Sequence, residues 1–315
     1  MRQGMVAGIL IAVAALAAPW ALAGEQPPPP PPEQPASPPP LPLHSIEGFS
    51  GVFLTETAYL ANLPEGEGWF GKPSVAISGA RINEKELFAA TATMNFFRRV
   101  ELGLSYMNLS LGDWDNNVEA AAEARISDGD VPLYTVGLRC LVLREGEFDT
   151  TWIPAVTVGA RWKKNANIDN IDRDLHGVVT GLGLDDDDGL DFTVMASKTF
   201  AGVLPKPFIL SAGLRATEAI QAGFLGFDDD YHVVFEGNAI FFILDNLVLA
   251  AEYRQMPRTM KRLGKLVRRE DDWWSLALGW VVNSHMTVTA GFAHTGRVLD
   301  ESDSFVPLCQ LKWEF

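Results

Sequence analysis

Three observations in this 315-residue sequence predict an all-β fold, an antiparallel transmembrane barrel of the outer-membrane type. Twelve strands are expected, with fourteen as the alternative. Segments of strand length alternate apolar and polar side chains, as a sheet with one apolar and one polar face requires. The connections between them alternate short and long, as they do in barrels with turns on one side of a membrane and loops on the other. Mean hydropathy is near zero although 47% of the residues are hydrophobic. No stretch after residue 23 holds about 18 consecutive apolar residues, which excludes a spanning helix.

Residues 1–23 read as a secretory signal peptide. Arg2 supplies the positive end, residues 5–16 an apolar run, and Ala21-Leu22-Ala23 a small-residue cleavage site before Gly24. Gly24 is not a cysteine, so lipid anchoring is not indicated. Residues 24–43 form a Pro-rich disordered linker that begins with six consecutive prolines at 27–32. Such a tract is confined to polyproline II or disorder and acts as a spacer or a tolerated tail. Residues 44–72 are an N-terminal segment, periplasmic or lumen-inserted. Residues 51–59 carry β-formers, but Glu56 and the turn Pro64-Glu65-Gly66-Glu67-Gly68 interrupt any long hairpin.

Residues 73–315 form the barrel. Strands are expected at 73–82, 87–96, 100–109, 132–143, 152–162, 190–200, 207–217, 231–242, 246–254, 272–282, 285–295 and 305–315. Short connections fall at 97–99, 144–151, 201–206, 243–245 and 283–284. Long ones fall at 110–131, 163–189, 218–230 and 255–271, with a shorter one at 296–304. The first connection, 83–86, is short where a long loop is expected. With short turns periplasmic, both chain ends lie in the periplasm, and residues 51–59 add a strand only together with a partner.

Alternation assigns faces. Leu247, Leu249 and Tyr253 face lipid, as do Val136, Leu138, Cys140, Val142, Trp152, Val156, Val158 and Trp162. Leu210, Leu214, Trp274, Leu276, Leu278 and Trp280 join them. The lumen-lining candidates are Glu101, Arg139, Arg161, Arg215, Glu236, Glu252, Arg254 and Lys312, with Glu314 on the same face. The arginines form a track for anionic solutes, or they pair with Glu101, Glu236 and Glu252 to fill a narrow barrel. The second reading is preferred, because twelve strands enclose limited space.

The last strand alternates Cys309, Leu311, Trp313 and Phe315 against Gln310, Lys312 and Glu314. A terminal strand ending on Phe315, with Trp313 before it, resembles the assembly signal read by the barrel assembly machinery of bacterial outer membranes. Deleting Phe315 is expected to lower the amount of folded barrel in the membrane more than it alters channel properties. Normal membrane levels of the truncated protein contradict this.

Other chemistry is weak. Cys140 and Cys309, the only cysteines, sit outward on strands far apart in order, so no disulfide is expected. The acids at 185–188 lack an EF-hand pattern and read as a solvated loop. Arg258, Lys261, Arg262, Lys265, Arg268 and Arg269 make a basic loop, which reads as a solvated loop or as a neighbour of lipopolysaccharide phosphate. His44, His176, His232, His285 and His294 have no metal-ligand spacing, and no Ser/His/acid set or Gly-x-Ser-x-Gly occurs. No enzyme, cofactor, metal or nucleic-acid partner is expected, the last because the net charge is −15. Oligomeric state is left open.

The stretches Ser45-Ile46-Glu47-Gly48, Arg99-Val100-Glu101-Leu102, Trp152-Ile153-Pro154 with Lys163-Lys164-Asn165, Arg215-Ala216-Thr217, Leu225-Gly226-Phe227, Ala251-Glu252-Tyr253-Arg254 and Arg269-Glu270-Asp271-Asp272-Trp273 resemble the domain-of-unknown-function family 3034. This is a bacterial family of exported β-barrel proteins, and the resemblance spans roughly residues 45–315. It implies an exported barrel and adds no substrate. The expected role is a passive pore or transport component for small solutes in the cell outer membrane, porin-like and surrounded by outer-membrane lipid and lipopolysaccharide. The alternatives are a non-conducting structural or interaction barrel with long outer loops, and, behind both, a lipid-modifying enzyme.

Overall fold

The computed structural model describes residues 43–66, 68–112, 114, 116, 124–181, 183–184, 186–259, 270–298, 301–303 and 305–315. The stretch read as a signal peptide, the proline tract to residue 42, Asp185 and the basic residues Lys261 to Arg269 lie outside them. Among the described residues, twelve antiparallel strands close into a barrel. They are β1 (Ser74–Ile82), β2 (Lys85–Phe96), β3 (Val100–Ser110), β4 (Asp130–Leu143), β5 (Ala155–Asn165), β6 (Asp188–Phe200), β7 (Phe208–Ala219), β8 (Phe227–Leu244), β9 (Leu247–Arg254), β10 (Trp273–Val281) and β11 (Met286–His294), then β14 (Val306–Glu314). A two-stranded hairpin, β12 (Gly296–Val298) and β13 (Glu301–Asp303), sits between β11 and β14 where a plain loop was expected. Each barrel strand pairs with the next barrel strand in the chain, β11 pairing with β14 past the hairpin, and the seam joins β1 to β14 with Val75 opposite Trp313 and Ile77 opposite Leu311. The terminal Phe315 N–H donates to Pro73 O at 3.3 Å across that seam.

The two faces differ as the alternation requires. Ile77, Leu138, Val194, Leu214 and Leu278 stand outward and exposed, while Thr135, Arg139, Arg161, Thr193, Arg215 and Ser275 are buried on the inner face. Apolar side chains around the outside of a closed barrel are stable only in lipid, and every backbone group of such a barrel is paired within it. The chain is an outer-membrane β-barrel. Exposed Phe97, Trp152, Trp280, Trp313 and Phe315 gather at the short-turn end, where an interfacial aromatic girdle sits.

Several boundaries move. β5 begins at Ala155, so Trp152 belongs to the preceding turn and not to the strand. β5 also runs on to Asn165, and β8 starts at Phe227, both extending past the expected long-loop ends. The first connection, at Asn83, is a tight turn made with a left-handed φ of 52°. Residues 51–59 add no strand to the sheet. Bridge pairing in residues 44–59 is limited to the isolated bridges His44 with Ser50 and Gly51 with Glu56. The fourteen-strand alternative therefore does not form.

Candidate functional site

Residues 43–62 form a compact loop inside the barrel. Ser45 N–H donates to Phe49 O at 2.8 Å, Ile46 N–H to Phe53 O at 3.0 Å, and Thr57 N–H to Ser50 O at 3.1 Å. These few internal bonds leave most of the loop's backbone to be satisfied by the wall. The wall supplies the partners. Ser105 Oγ donates to Ile46 O at 2.6 Å, Gln310 Nε2 to His44 O at 2.8 Å, and Asn238 Nδ2 to Glu56 O at 2.8 Å. Ala58 N–H donates to Ser197 Oγ at 2.7 Å and Ala61 N–H to Glu101 Oε1 at 2.8 Å.

The loop enters and leaves at the same end. Leu43 packs beside Gly279, close to the end of β10. Tyr59 Oη meets Glu145, in the turn after β4, and lies 2.7 Å from Thr199 Oγ1 near the end of β6. These are the short-turn ends of their strands, which face the periplasm in barrels of this type.

Close approach to the wall rests on glycine. Phe49 lies over Gly103 and Gly137, where an added Cβ would stand 2.6 Å and 2.8 Å from its ring. The guanidinium groups of Arg139 and Arg161 stack over the same ring at 5.5 Å and 4.9 Å. Gly103→Val is expected to push the loop out while leaving the barrel intact. Valine suits a strand, whereas overpacking at this contact costs about 1–3 kcal/mol. Limited chymotrypsin digestion at Phe49 and Phe53 checks it. Wild-type protection in the variant contradicts it.

Charge holds the loop's centre. The Glu47 carboxylate meets Arg161 Nη1, Lys163 Nζ at 2.8 Å, Arg215 Nη2 at 3.0 Å and Arg254 Nη2 at 3.1 Å. Glu56 lies 2.5 Å from Arg161 Nη1 and 3.6 Å from Arg139 Nη1. It acts through charge, because neither of its oxygens has an aligned hydrogen bond. Within the wall, Glu101 pairs with Arg139, Asp191 with Lys163 at 2.8 Å and Arg215 at 2.7 Å, and Glu236 with Arg215 at 3.1 Å and Arg254 at 3.2 Å. Glu252 does not pair with an arginine. Its oxygens accept the N–H groups of Phe53 (3.2 Å), Leu54 (2.8 Å) and Thr55 (2.7 Å), with hydroxyls from Thr55 (3.0 Å) and Ser275 (2.5 Å).

Glu101, Arg139, Arg161, Arg215, Glu236, Glu252 and Arg254 are thus brought together around one loop, all buried. Lys312 is also buried, 2.6 Å from Glu314. Trp313 stacks on His285 at 5.6 Å on the exposed face. Sequence reasoning missed Glu47, Glu56, Lys163 and Asp191. Lys163 is two residues beyond Arg161 in the same phase, a signal hidden by ending the strand at 162. Glu47 and Glu56 sit in a segment without periodicity and gave no signal for this role. Among the described residues, no group of three or more His, Cys, Asp or Glu is placed to hold a metal. Cys140 and Cys309 are free thiols on β4 and β14, which are not neighbours in the sheet.

The other end of the lumen is covered by apolar side chains. Leu133, Ile168, Phe224, Phe227 and Trp273 pack into one cluster with Ile46, Phe53 and Leu54 of the loop. The turn at Ile220–Gly223 folds inward, with Gln221 and Ala222 in left-handed conformations at φ 46° and 61°. Asn165 Nδ2 holds it by donating to Gly223 O at 2.9 Å and Phe224 O at 3.0 Å. Glu270 Oε1 accepts Gln221 N–H at 2.8 Å, and Oε2 accepts Arg258 N–H at 3.1 Å.

Burial holds the Glu270 carboxyl above its usual range, against the pull of these N–H groups. Its contribution to the turn is therefore full below the ordinary glutamate pKa, about 4.3, and is lost as pH rises through the raised value. Amide hydrogen exchange at Gln221 is expected to show that loss, corrected for intrinsic exchange. Glu270→Gln is expected to flatten it. An unchanged profile in the variant contradicts the assignment.

The family described as "Protein of unknown function (DUF3034)" matches residues 42–305. No curated protein matches the chain. Among solved structures, the chain is similar to the KdgM porin at 6% identity and TM-score 0.45, covering 77% of this chain and 99% of that one. It is similar to the outer membrane protein Omp33 of Acinetobacter baumannii at 9% identity and TM-score 0.42, covering 80% and 100%. It is also similar to the outer membrane phospholipase of Salmonella typhi at 9% identity and TM-score 0.36, covering 82% and 96%.

Proposed function

The chain belongs to the DUF3034 family, and we propose that its porin-like barrel is a gated conduit for small solutes, closed by residues 43–62 in the state described here. One observation carries this reading. The loop enters and leaves by the same mouth, and polar contacts to wall side chains hold its centre. Withdrawing it breaks no strand pair, because the β1–β14 seam is made by backbone pairing alone. The wall that it leaves behind is polar and charged, as a water-filled passage requires.

Planar-bilayer recording tests the reading. The wild-type protein is expected to be silent for most of the record, and Gly103→Val to conduct. Heat-modifiable gel migration establishes that both are folded. A folded Gly103→Val barrel with an exposed loop and no current overturns the conduit reading. That result favours the second reading, a non-conducting barrel that presents its outer loops to a partner. The apolar cluster over the outer mouth supports this alternative.

A further inference from the structure

We infer that the barrel wall carries a binding site for a small dianion with two carboxylate groups, and that Glu47 and Glu56 occupy this site in the closed state. The inference deepens the conduit reading and rests on it for the route by which a solute arrives.

The charge balance of the wall is the first ground. Within the wall, Arg139 pairs with Glu101, and Lys163, Arg215 and Arg254 pair with Asp191 and Glu236, while the ion pairs of Arg161 go to the loop carboxylates Glu47 and Glu56. Five cations against three carboxylates leave an excess of two positive charges. Glu47 and Glu56 cancel that excess. Glu252, a further wall carboxylate, stands outside this group of ion pairs: its partners are the loop N–H groups of residues 53–55 and the wall hydroxyl of Ser275, which stays when the loop departs. Once the loop departs and water enters, clustered cations in excess of the carboxylates they pair with attract an anion into the lumen.

Geometry is the second ground. Both loop carboxylates converge on one atom, Nη1 of Arg161, so the two anionic groups are close neighbours within the site. Glu47 then spreads over Lys163, Arg215 and Arg254 on its other sides. Guanidinium groups arranged in this way present several donors to a planar carboxylate. Phe49 lies against the faces of Arg139 and Arg161 beside these carboxylates, and those faces suit an occupant with a short apolar body joining two carboxylates. Succinate has that form.

The test uses the full chain carrying Glu47→Gln and Glu56→Gln, with wild type beside it. The midpoint of heat-modifiable migration is expected to fall in the variant. About 10 mM succinate is expected to restore most of the loss, while sodium chloride of equal ionic strength and acetate restore little. Wild type, its site filled, is expected to show no succinate shift. If the double variant does not fold, Glu47→Gln alone is read in the same way, with a smaller fall and the same order of anions. Adding Arg161→Gln is expected to abolish the succinate response. No succinate shift in either variant, or an equal shift with chloride, overturns the site. Bilayer currents of the double variant separate the two readings. Anion-selective current that succinate reduces several-fold supports both. A succinate shift without current leaves the site and removes the conduit. Current without any succinate effect leaves the conduit and removes the site.

Discussion

Glu47→Ala is expected to destabilise the closed state by about 3–5 kcal/mol, the cost of stripping one partner from a buried ion-pair network. Arg161, Lys163, Arg215 and Arg254 all contact this carboxylate, and all are buried. Their wall partners Asp191 and Glu236 are already shared between two cations each. The vacated space is too polar to stay dry, so water or the loop itself must rearrange. Release of the loop is the cheaper course, because it hydrates the cations without breaking a strand pair. Chymotrypsin is then expected to cut at Phe49 and Phe53, which are both buried in the closed state. The barrel is expected to keep its heat-modifiable migration. Protection equal to wild type contradicts the role given to Glu47.

Glu252→Ala is expected to cost about 3 kcal/mol. One carboxylate accepts the backbone N–H groups of three successive residues, Phe53, Leu54 and Thr55. Removing it orphans those buried donors, at about 1–3 kcal/mol each before relaxation. Glu252→Gln is expected to be little better. Its amide keeps one acceptor oxygen and turns a donor toward groups that are themselves donors. Glu252→Asp keeps the charge and is expected to be the mildest of the three. Amide exchange at residues 53–55 reads this order directly. An equal effect of Gln and Asp contradicts the account of Glu252 as an acceptor.

The barrel was readable because a transmembrane wall is one strand thick. Each side chain on β4, β5, β9 and β10 has lipid on one side or the lumen on the other, so alternation alone places Arg139 inward and Leu138 outward. The lumen charges could be named for the same reason. Their partners could not. Strand pairing is local in the chain, whereas the contacts of Glu47 reach residues 161, 163, 215 and 254 through space. No period in residues 43–62 encodes that reach. The loop is shaped by the wall it fills, its backbone bonded to Ser105, Ser197, Asn238, Glu252 and Gln310. Boundaries hid the rest. Ending a strand at 162 moved Lys163 into a loop, and pairing Glu252 with arginine overlooked the backbone as a partner for a buried carboxylate.

Disulfide trapping tests the occupancy of the lumen most directly. Ala58→Cys with Ser197→Cys, in a chain whose Cys140 and Cys309 are replaced by serine, joins a loop position to the inner face of β6. Ala58 N–H reaches Ser197 Oγ at 2.7 Å, so the two backbones are within bridging range. Ala196, the neighbour that faces outward on the same strand, provides the control. Near-complete cross-linking of the 58–197 pair in the folded, membrane-embedded barrel, with none for 58–196, is the predicted result. No 58–197 bridge in that folded barrel, or equal bridging to both positions, contradicts a loop seated in the lumen.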